Sequence, residues 1–519
     1  MSTATIKTVA FQGVDVLDVD VQVQMASGMP AFSIVGLPDK AVAESRERVR
    51  AALHALGISL PAKRITINLA PADLSKEGSH FDLPIALGVL AVMGVVPAED
   101  MSNFIALGEL SLDASIRRVN GVLPTALHAM ERGQSLIVPQ SNGAEAAWAG
   151  DIEILAPTNL LQFINHMKGT QVLAKPEAKL KETSDRHGPD LSEVKGQETA
   201  KRALEIAAAG GHNMLMIGPP GSGKSMLASC LPRILPKLSP KEALEVSMIH
   251  SLAGSLPEGG LLSERPYRDP HHSASQPSLI GGGSKANPGE ISLAHNGVLF
   301  MDEFPEYQRP TLEALRQPLE TGSVLVSRVN YHATYPARFQ LVAAMNPCRC
   351  GYMGDPEMEC TKAPRCGGDY QNKISGPMFD RIDVVVDVPA VQIADLQSDT
   401  PAETSATVAK RVLHARQIQE ARYKAFGAQY SVNAYANGDI LEKIAPMDQN
   451  AKEFMAQATD KMKLSARAYH RVLRLARTIA DLEAITRHQD STQSGQPSEI
   501  LSKNHIAEAL GYRRMHNTA

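Results

Sequence analysis

Along the first 165 residues, short runs alternate apolar and polar side chains: Thr8-Val-Ala-Phe11, Val14-Asp-Val-Leu-Asp-Val-Asp-Val-Gln-Val23 and Ile65-Thr-Ile-Asn-Leu69. Between them lie stretches of helical period, Val42 to Leu56 and Leu83 to Met93. A period of two buries one face of a strand, and a period of 3.6 buries one stripe of a helix. Residues 1–167 are therefore expected to form an α/β domain with its own core.

The pattern changes at 168–189, where Lys-Gly-Thr-Gln and then Lys-Pro-Glu-Ala-Lys-Leu-Lys-Glu lose apolar periodicity, which predicts a linker. Residues 190–398 again alternate strand and helix patterns, as in a parallel sheet that carries its ligand at the strand C-terminal ends. From 399 to 519 the periodicity is helical only, at Thr404 to Ala425, Glu442 to Met462, Ala466 to Ala484 and Asn504 to Ala509, which predicts a helical lid. The polar stretch Arg487 to Ser498 predicts a loop before the last helix.

With 519 residues the chain is too long for one core. Its net charge of −4 excludes a bulk basic field, and 4% aromatics exclude a base-stacking surface spread along the chain. Residues 1–165 hold 17 acidic and 11 basic side chains, so any contact with DNA is expected to be local and in the second part. No run of eighteen apolar residues and no secretory pattern occurs, so a cytoplasmic protein without membrane contact is expected.

The chemistry is concentrated in Gly218-Pro219-Pro220-Gly221-Ser222-Gly223-Lys224-Ser225, which follows the apolar run Met214 to Ile217 and precedes a helical pattern. Such a loop turns backbone N–H groups at a helix N-terminus toward phosphates, which predicts ATP binding. Lys224 would reach the β and γ phosphates, and Ser225 would ligate Mg²⁺. About eighty residues on, Val298-Leu-Phe-Met-Asp302-Glu303 supplies an acidic strand end. Asp302 would hold the Mg²⁺ ion through water, and Glu303 would activate the attacking water. Asn346, at the end of the apolar run Leu341 to Met345, could sense the γ-phosphate. Arg381 precedes the run Val384 to Val388 and suits an arginine finger acting on a neighbouring subunit. Arg467, with Arg471 in reserve, offers a second sensor on a lid helix.

Strand, loop, acidic strand, Asn strand, Arg before a strand and helical lid is the order found in AAA+ ATPases. The segments Arg265-Pro-Tyr-Arg-Asp-Pro-His271-His272, Asn287-Pro-Gly-Glu-Ile-Ser-Leu-Ala-His295 and Leu464-Ser-Ala-Arg-Ala-Tyr-His-Arg471 resemble the magnesium-chelatase-like AAA+ group known as ComM or YifB. The resemblance covers nearly the whole chain. It implies a ring-forming, hexameric ATPase acting on single-stranded or branched DNA, a helicase or branch-migration motor used in recombination or natural transformation.

Two alternating β runs around Val324-Leu-Val-Ser-Arg328-Val-Asn-Tyr-His332 read as a hairpin before the Asn strand and resemble the pre-sensor hairpin of MCM helicases. In that resemblance Arg328 faces the pore, where six copies would form a collar tracking phosphates without reading bases. The loop from Arg265 to Lys285 resembles the helix-2 insert of the same helicases.

Four of the five cysteines, Cys348, Cys350, Cys360 and Cys366, fall within nineteen residues. Four thiols within reach of one ion suit a closed, structural Zn²⁺ site, although the spacing departs from the usual knuckle. Cys230, on the helix after the phosphate loop, reads as core.

Leu107-Gly-Glu109 to Leu123-Pro resembles the Lon protease catalytic domain, a fold of the ribosomal S5 domain 2 type, with Lys76-Glu-Gly-Ser79-His80 where that family keeps its nucleophile. His80 then stands at the serine position and Leu123 at the lysine position, so peptidase chemistry is not expected. Arg46, Arg48 and Arg50 on one predicted helix read as a solvated face. Two alternatives to a DNA motor remain: a magnesium-chelatase-type motor subunit and a Lon-like protein-remodelling ATPase.

Overall fold

The structure, a computed structural model, describes residues 2–513 except 180–187, 258–259, 284–285, 329–330, 354–359, 361, 393–394, 396–401, 429 and 491–499. Much of the expected linker and most of the expected loop before the last helix therefore lie outside the described residues.

The first sheet contains β1 (Ser2–Gln12), β2 (Asp15–Ala26), β3 (Ala31–Val35), β4 (Arg64–Ala70), β5 (Phe104–Ala106), β6 (Ser135–Ile137) and β7 (Ile154–Leu155), in the order β3-β4-β2-β1-β5-β6-β7. β1 and β2 pair antiparallel around Gly13, with Ile6 opposite Val21. Their alternation does what the pattern requires: Val19, Val21 and Val23 are buried while Asp18, Gln22 and Gln24 are exposed. The apolar face receives helix Asp82–Val92, every residue of which is buried. A helix apolar on all sides belongs inside a core.

Helix Lys40–Ala55 covers the same region and corrects one expectation. Arg48 does not lie on a solvated face: its Nε and Nη2 donate to Asp82 at 2.6 and 2.9 Å. Asp82 is fully buried and would be a costly isolated charge without that partner.

The second sheet is parallel and contains β8 (Met214–Ile217), β9 (Tyr267–Arg268), β10 (Val298–Met301), β13 (Gln340–Met345) and β14 (Val384–Asp387), with a separate hairpin, β11 (Ser323–Arg328) and β12 (Tyr331–Pro336), inserted before β13. The order across the sheet is β9-β10-β13-β8-β14. β8 thus has a later strand on each side, the switch-point arrangement that opens a crevice at the strand C-terminal ends.

The lid helices are Ser405–Ala425, Gly438–Ile444, Gln449–Met462, Ala466–Asp490 and Lys503–Gly511. The single helix expected from Glu442 to Met462 is broken, because Pro446 offers no N–H and clashes with the preceding turn. The helix expected to stop near Ala484 continues to Asp490. Val412, Leu475 and Ala476 of the lid share one apolar core with Met214, Val342 and Val384 of the sheet. At about 2 kcal/mol per buried aliphatic side chain, the lid is packed as part of the domain. Asp190, where this half begins, accepts hydrogen bonds from Ser192 and from the Ser405 N–H, and so ties the start of the core to the start of the lid.

Among the described residues, the contacts between the two halves include two hydrogen-bonded places. The Gly121 N–H donates to Ser251 O at 3.1 Å, and the Ser251 hydroxyl donates to the buried Glu145. Gln12 Nε2 at the β1–β2 turn donates to His332 O on β12 at 2.9 Å.

Candidate functional site

β8 turns at Ile217 through the glycine-rich loop into helix Lys224–Ile234. Gly223 caps that helix at φ 89°, a left-handed value that side chains with a Cβ rarely adopt. Its following N–H groups open onto the loop, as an anion site requires. Lys224 curls back over the loop, its Nζ 2.8 Å from the carbonyls of both Gly218 and Pro219 and 3.4 Å from Asn346 Oδ1. Burial lowers the pKa of the ammonium, and Asp302 opposes that fall. Neutral carbonyls hold a cation that charged phosphate oxygens would hold better.

Asn346 reaches this point because β13 pairs with β8 and places Met345 beside Ile217. On the far side of β13, β10 ends at Met301 and delivers Asp302, whose Oδ2 accepts from Ser225 Oγ at 2.7 Å. This hydroxyl and carboxylate are the hard oxygen donors that Mg²⁺ selects. Glu303 follows with φ 50° and ψ 44°, a left-handed conformation that costs a non-glycine residue about 1–2 kcal/mol.

Arg381 lies elsewhere. Its carbonyl accepts from Asn213 Nδ2, and Asn213 precedes β8, at the opposite end of the strand from the phosphate loop. Five residues of extended chain separate the two ends by about 15 Å. The Arg381 guanidinium donates to Arg316 O at 3.2 Å and pairs with Glu320. Arg467, 69% exposed, sits 3.9 Å from the same carboxylate. Arg381 and Arg467, the residues expected as finger and sensor, therefore form one cluster around Glu320, apart from the phosphate loop. Arg471 is structural: it is buried and bonds Ile382 O and Asp380.

Sequence reading missed two residues here. Gln197, in a left-handed turn before helix Glu198–Gly210, bonds Ser222 O at 3.3 Å and Pro389 O at 2.6 Å. It borders a cavity of about 770 Å³ lined also by Val386, Pro389, Gln392 and Tyr512. No local spacing marks it, since its role depends on contact with Pro389. The second is His272, whose Nδ1 lies 3.0 Å from Glu303 Oε2.

After β13 the chain passes over the phosphate loop so closely that a Cβ on Gly351 would lie 2.5 Å from Pro220 Cδ. Here Cys348 and Cys350 bring their sulfurs to 3.2 Å, as do Cys360 and Cys366. The sulfurs of Cys348, Cys360 and Cys366 all lie within 4.8 Å of one another. A Zn–S bond of about 2.3 Å puts tetrahedral sulfurs about 3.8 Å apart, so this set fits a zinc ion. Cys230 is fully buried, as its apolar surroundings predicted.

The hairpin's strands pair from Ser323 opposite Pro336 to Arg328 opposite Tyr331; the Arg328 side chain lies outside the described part. In the first half, the Ser79 hydroxyl donates to Glu109, while the buried Lys76 ammonium donates to Pro71 O. His80 Nε2 bonds Val9 O at 2.9 Å, and Leu123 is fully buried. Serine and lysine are thus engaged separately. Among the described residues no helix is long and apolar enough to cross a membrane.

A phosphate loop after the first strand of the sheet, an acidic pair after the third, an amide after the fourth, an arginine before the fifth and a lid sharing the core define a P-loop ATPase of the AAA+ class. Comparison with known proteins narrows the class. The description "Magnesium chelatase, subunit ChlI" matches residues 190–396, and related descriptions of the same subunit match 21–142 and 402–513. The chain is 43% identical to the competence protein ComM of Haemophilus influenzae over 99% of its length and 98% of that protein's. It is 41% identical to YifB of Escherichia coli over 99% of its length and 97% of that protein's. A magnesium-chelatase 38 kDa subunit of Rhodobacter capsulatus is 30% identical over 30% of the chain and 50% of that subunit. The chain belongs to the ComM/YifB family of magnesium-chelatase-like AAA+ ATPases.

Proposed function

We propose that this chain forms a hexameric ring that hydrolyses ATP between protomers and moves along DNA, as a helicase or branch-migration motor in recombination or DNA uptake. The observation that carries this reading is the separation within one protomer. Lys224, Ser225, Asp302 and Asn346 gather at one end of the sheet, while Arg381 and Arg467 gather at the other. A site split in this way is complete only when a neighbour supplies its arginines.

The loop would hold the triphosphate, with the base in the cavity beside Gln197. Ser225 and Asp302 would hold Mg²⁺, which supplies charge neutralisation on the transferring phosphoryl group. Glu303 would take the proton of the attacking water, and Asn346 would orient that water against the γ-phosphate.

The DNA assignment draws on the full-length similarity to a competence protein and on the hairpin that ends in Arg328. Forked or single-stranded DNA is expected to stimulate ATP turnover, with the stimulation falling steeply as salt rises. Arg328→Ala is expected to remove the stimulation and keep the basal rate. Indifference of the wild-type enzyme to DNA would refute the DNA reading and leave the ATPase reading standing. A chelatase-type subunit is less favoured because the chelatase relative aligns with only 30% of the chain, at 30% identity, whereas the competence protein aligns with 99% of it at 43%. A remodelling protease is less favoured because Ser79 and Lys76 have other partners.

We further assign the four cysteines to a structural zinc that stiffens the loop lying on Pro220. Metal analysis of protein purified without chelator is expected to return about one zinc per chain, and Cys366→Ser to lose it with a fall in melting temperature. A metal-free wild-type protein of unchanged stability would refute the assignment.

A further inference from the structure

The turn between β1 and β2 has an apolar tip. Gly13 and Val14 join the two strands, with Gln12 paired to Asp15. A two-residue turn at the surface favours polar side chains that tolerate its backbone, such as asparagine and aspartate. The valine is explained by what it meets: Val14 packs against the apolar cluster of the second half that holds Val324, Val326, Ala333 and Tyr335 of the inserted hairpin. Gly13 lies so close to β12 that a Cβ on it would stand 2.9 Å from Thr334 O and 3.3 Å from Ala333 Cβ. Gln12 closes the contact by donating from Nε2 to His332 O at 2.9 Å. Three consecutive residues of the first half are thus seated on the hairpin and its core.

The first half is also anchored elsewhere, so this turn is not free to follow the hairpin. Arg118 Nη2 donates to Leu256 O at 2.8 Å, and a Cβ on Gly254 would lie 2.7 Å from Asn120 Nδ2. Beside them, the Gly121 N–H donates to Ser251 O, and the Ser251 hydroxyl donates to Glu145, at the end of helix Pro240–Leu252. The buried Glu145 carboxylate also accepts from the Leu123 N–H at 3.1 Å and from Asn142 Nδ2 at 2.8 Å, which offsets the cost of burying it in this joint. Within the second half, the hairpin rests on the segment that follows Gly281: the Tyr335 hydroxyl donates to Ala286 O at 2.9 Å.

We propose that the first half acts as a brace for the hairpin: fixed at the Ser251 joint, it holds β12 through the β1–β2 turn and so sets the direction in which the hairpin projects. The proposal rests on the reading of this hairpin as the element that meets DNA. A hairpin already held in place binds without the cost of being ordered at that moment.

The test uses full-length wild type, Val14→Asp and Gln12→Ala. Aspartate suits the backbone of the turn but not the apolar cluster, so Val14→Asp undocks the tip while keeping the β1–β2 pair. Amide hydrogen exchange across 331–336 is expected to speed about tenfold, as the loss of a half-buried aliphatic contact implies, while 2–12 and 15–26 exchange as in wild type. The concentration of forked DNA that gives half-maximal stimulation of ATP turnover is expected to rise about fivefold. Without DNA, kcat and KM for ATP should not change, because the turn touches none of Lys224, Ser225, Asp302 and Asn346. Gln12→Ala removes one hydrogen bond and is expected to shift both readings the same way by about twofold. Should Val14→Asp also loosen residues 2–26, Gln12→Ala decides alone. Exchange across 331–336 that ignores the substitutions overturns the brace, as does a half-maximal DNA concentration equal to that of wild type. A wild type that DNA does not stimulate would instead remove the DNA reading, and this proposal with it.

Discussion

Glu303→Gln is expected to bind ATP as wild type does and to hydrolyse it about 10³-fold more slowly. The substitution keeps the shape of the side chain but removes the basicity that draws a proton from water. Nucleotide affinity should persist because the groups that would hold phosphate and Mg²⁺ are Lys224, Ser225, Asp302 and the loop's own N–H groups, none of which touches Glu303 except through the single N–H donated to Asp302. A fluorescent-nucleotide titration beside a phosphate-release assay separates the two effects. Lost binding would mean that Glu303 serves the structure of the site, and wild-type turnover would mean that another group activates the water.

Arg381→Ala should cost as much by a different route. An arginine finger stabilises charge that develops on the transferring phosphoryl group and is typically worth 10³-fold or more, so turnover is expected to fall by about 10³. Binding by a single protomer should be unaffected, because Arg381 belongs to the far end of β8 and reaches no part of its own loop. The resting pair with Glu320 also implies that the guanidinium must change partners on assembly. Arg467 shares that carboxylate, so removing it should weaken the same interface rather than the lid of its own site.

The phosphate loop and the acidic strand were legible in the chain because their chemistry is local: eight consecutive residues and one dipeptide carry it. The mixed α/β architecture and the helical third part were legible from periodicity, since Val19, Val21 and Val23 or the wholly apolar helix Asp82–Val92 advertise what they bury. What stayed hidden depends on which elements become neighbours. Arg48 looks like one of three exposed cations until the fold sets Asp82 beside it, 34 residues away in sequence. Gln197 gains its place only from Ser222 and Pro389, and His272 only from the register of β9 on β10. Glu320 carried no sequence signal, yet both arginines at the far end of the sheet converge on it.

The shared nucleotide site is tested most directly by mixing two inactive proteins. Arg381→Ala keeps an intact phosphate loop and lacks the arginine, while Lys224→Ala keeps the arginine and lacks the loop's cation. If catalysis takes place between protomers, co-assembled mixtures will hydrolyse ATP well above the rate of either protein alone, because some interfaces join a sound loop to a sound arginine. A mixture no faster than its two components, under conditions where the proteins are seen to co-assemble, would contradict a site built from neighbouring chains.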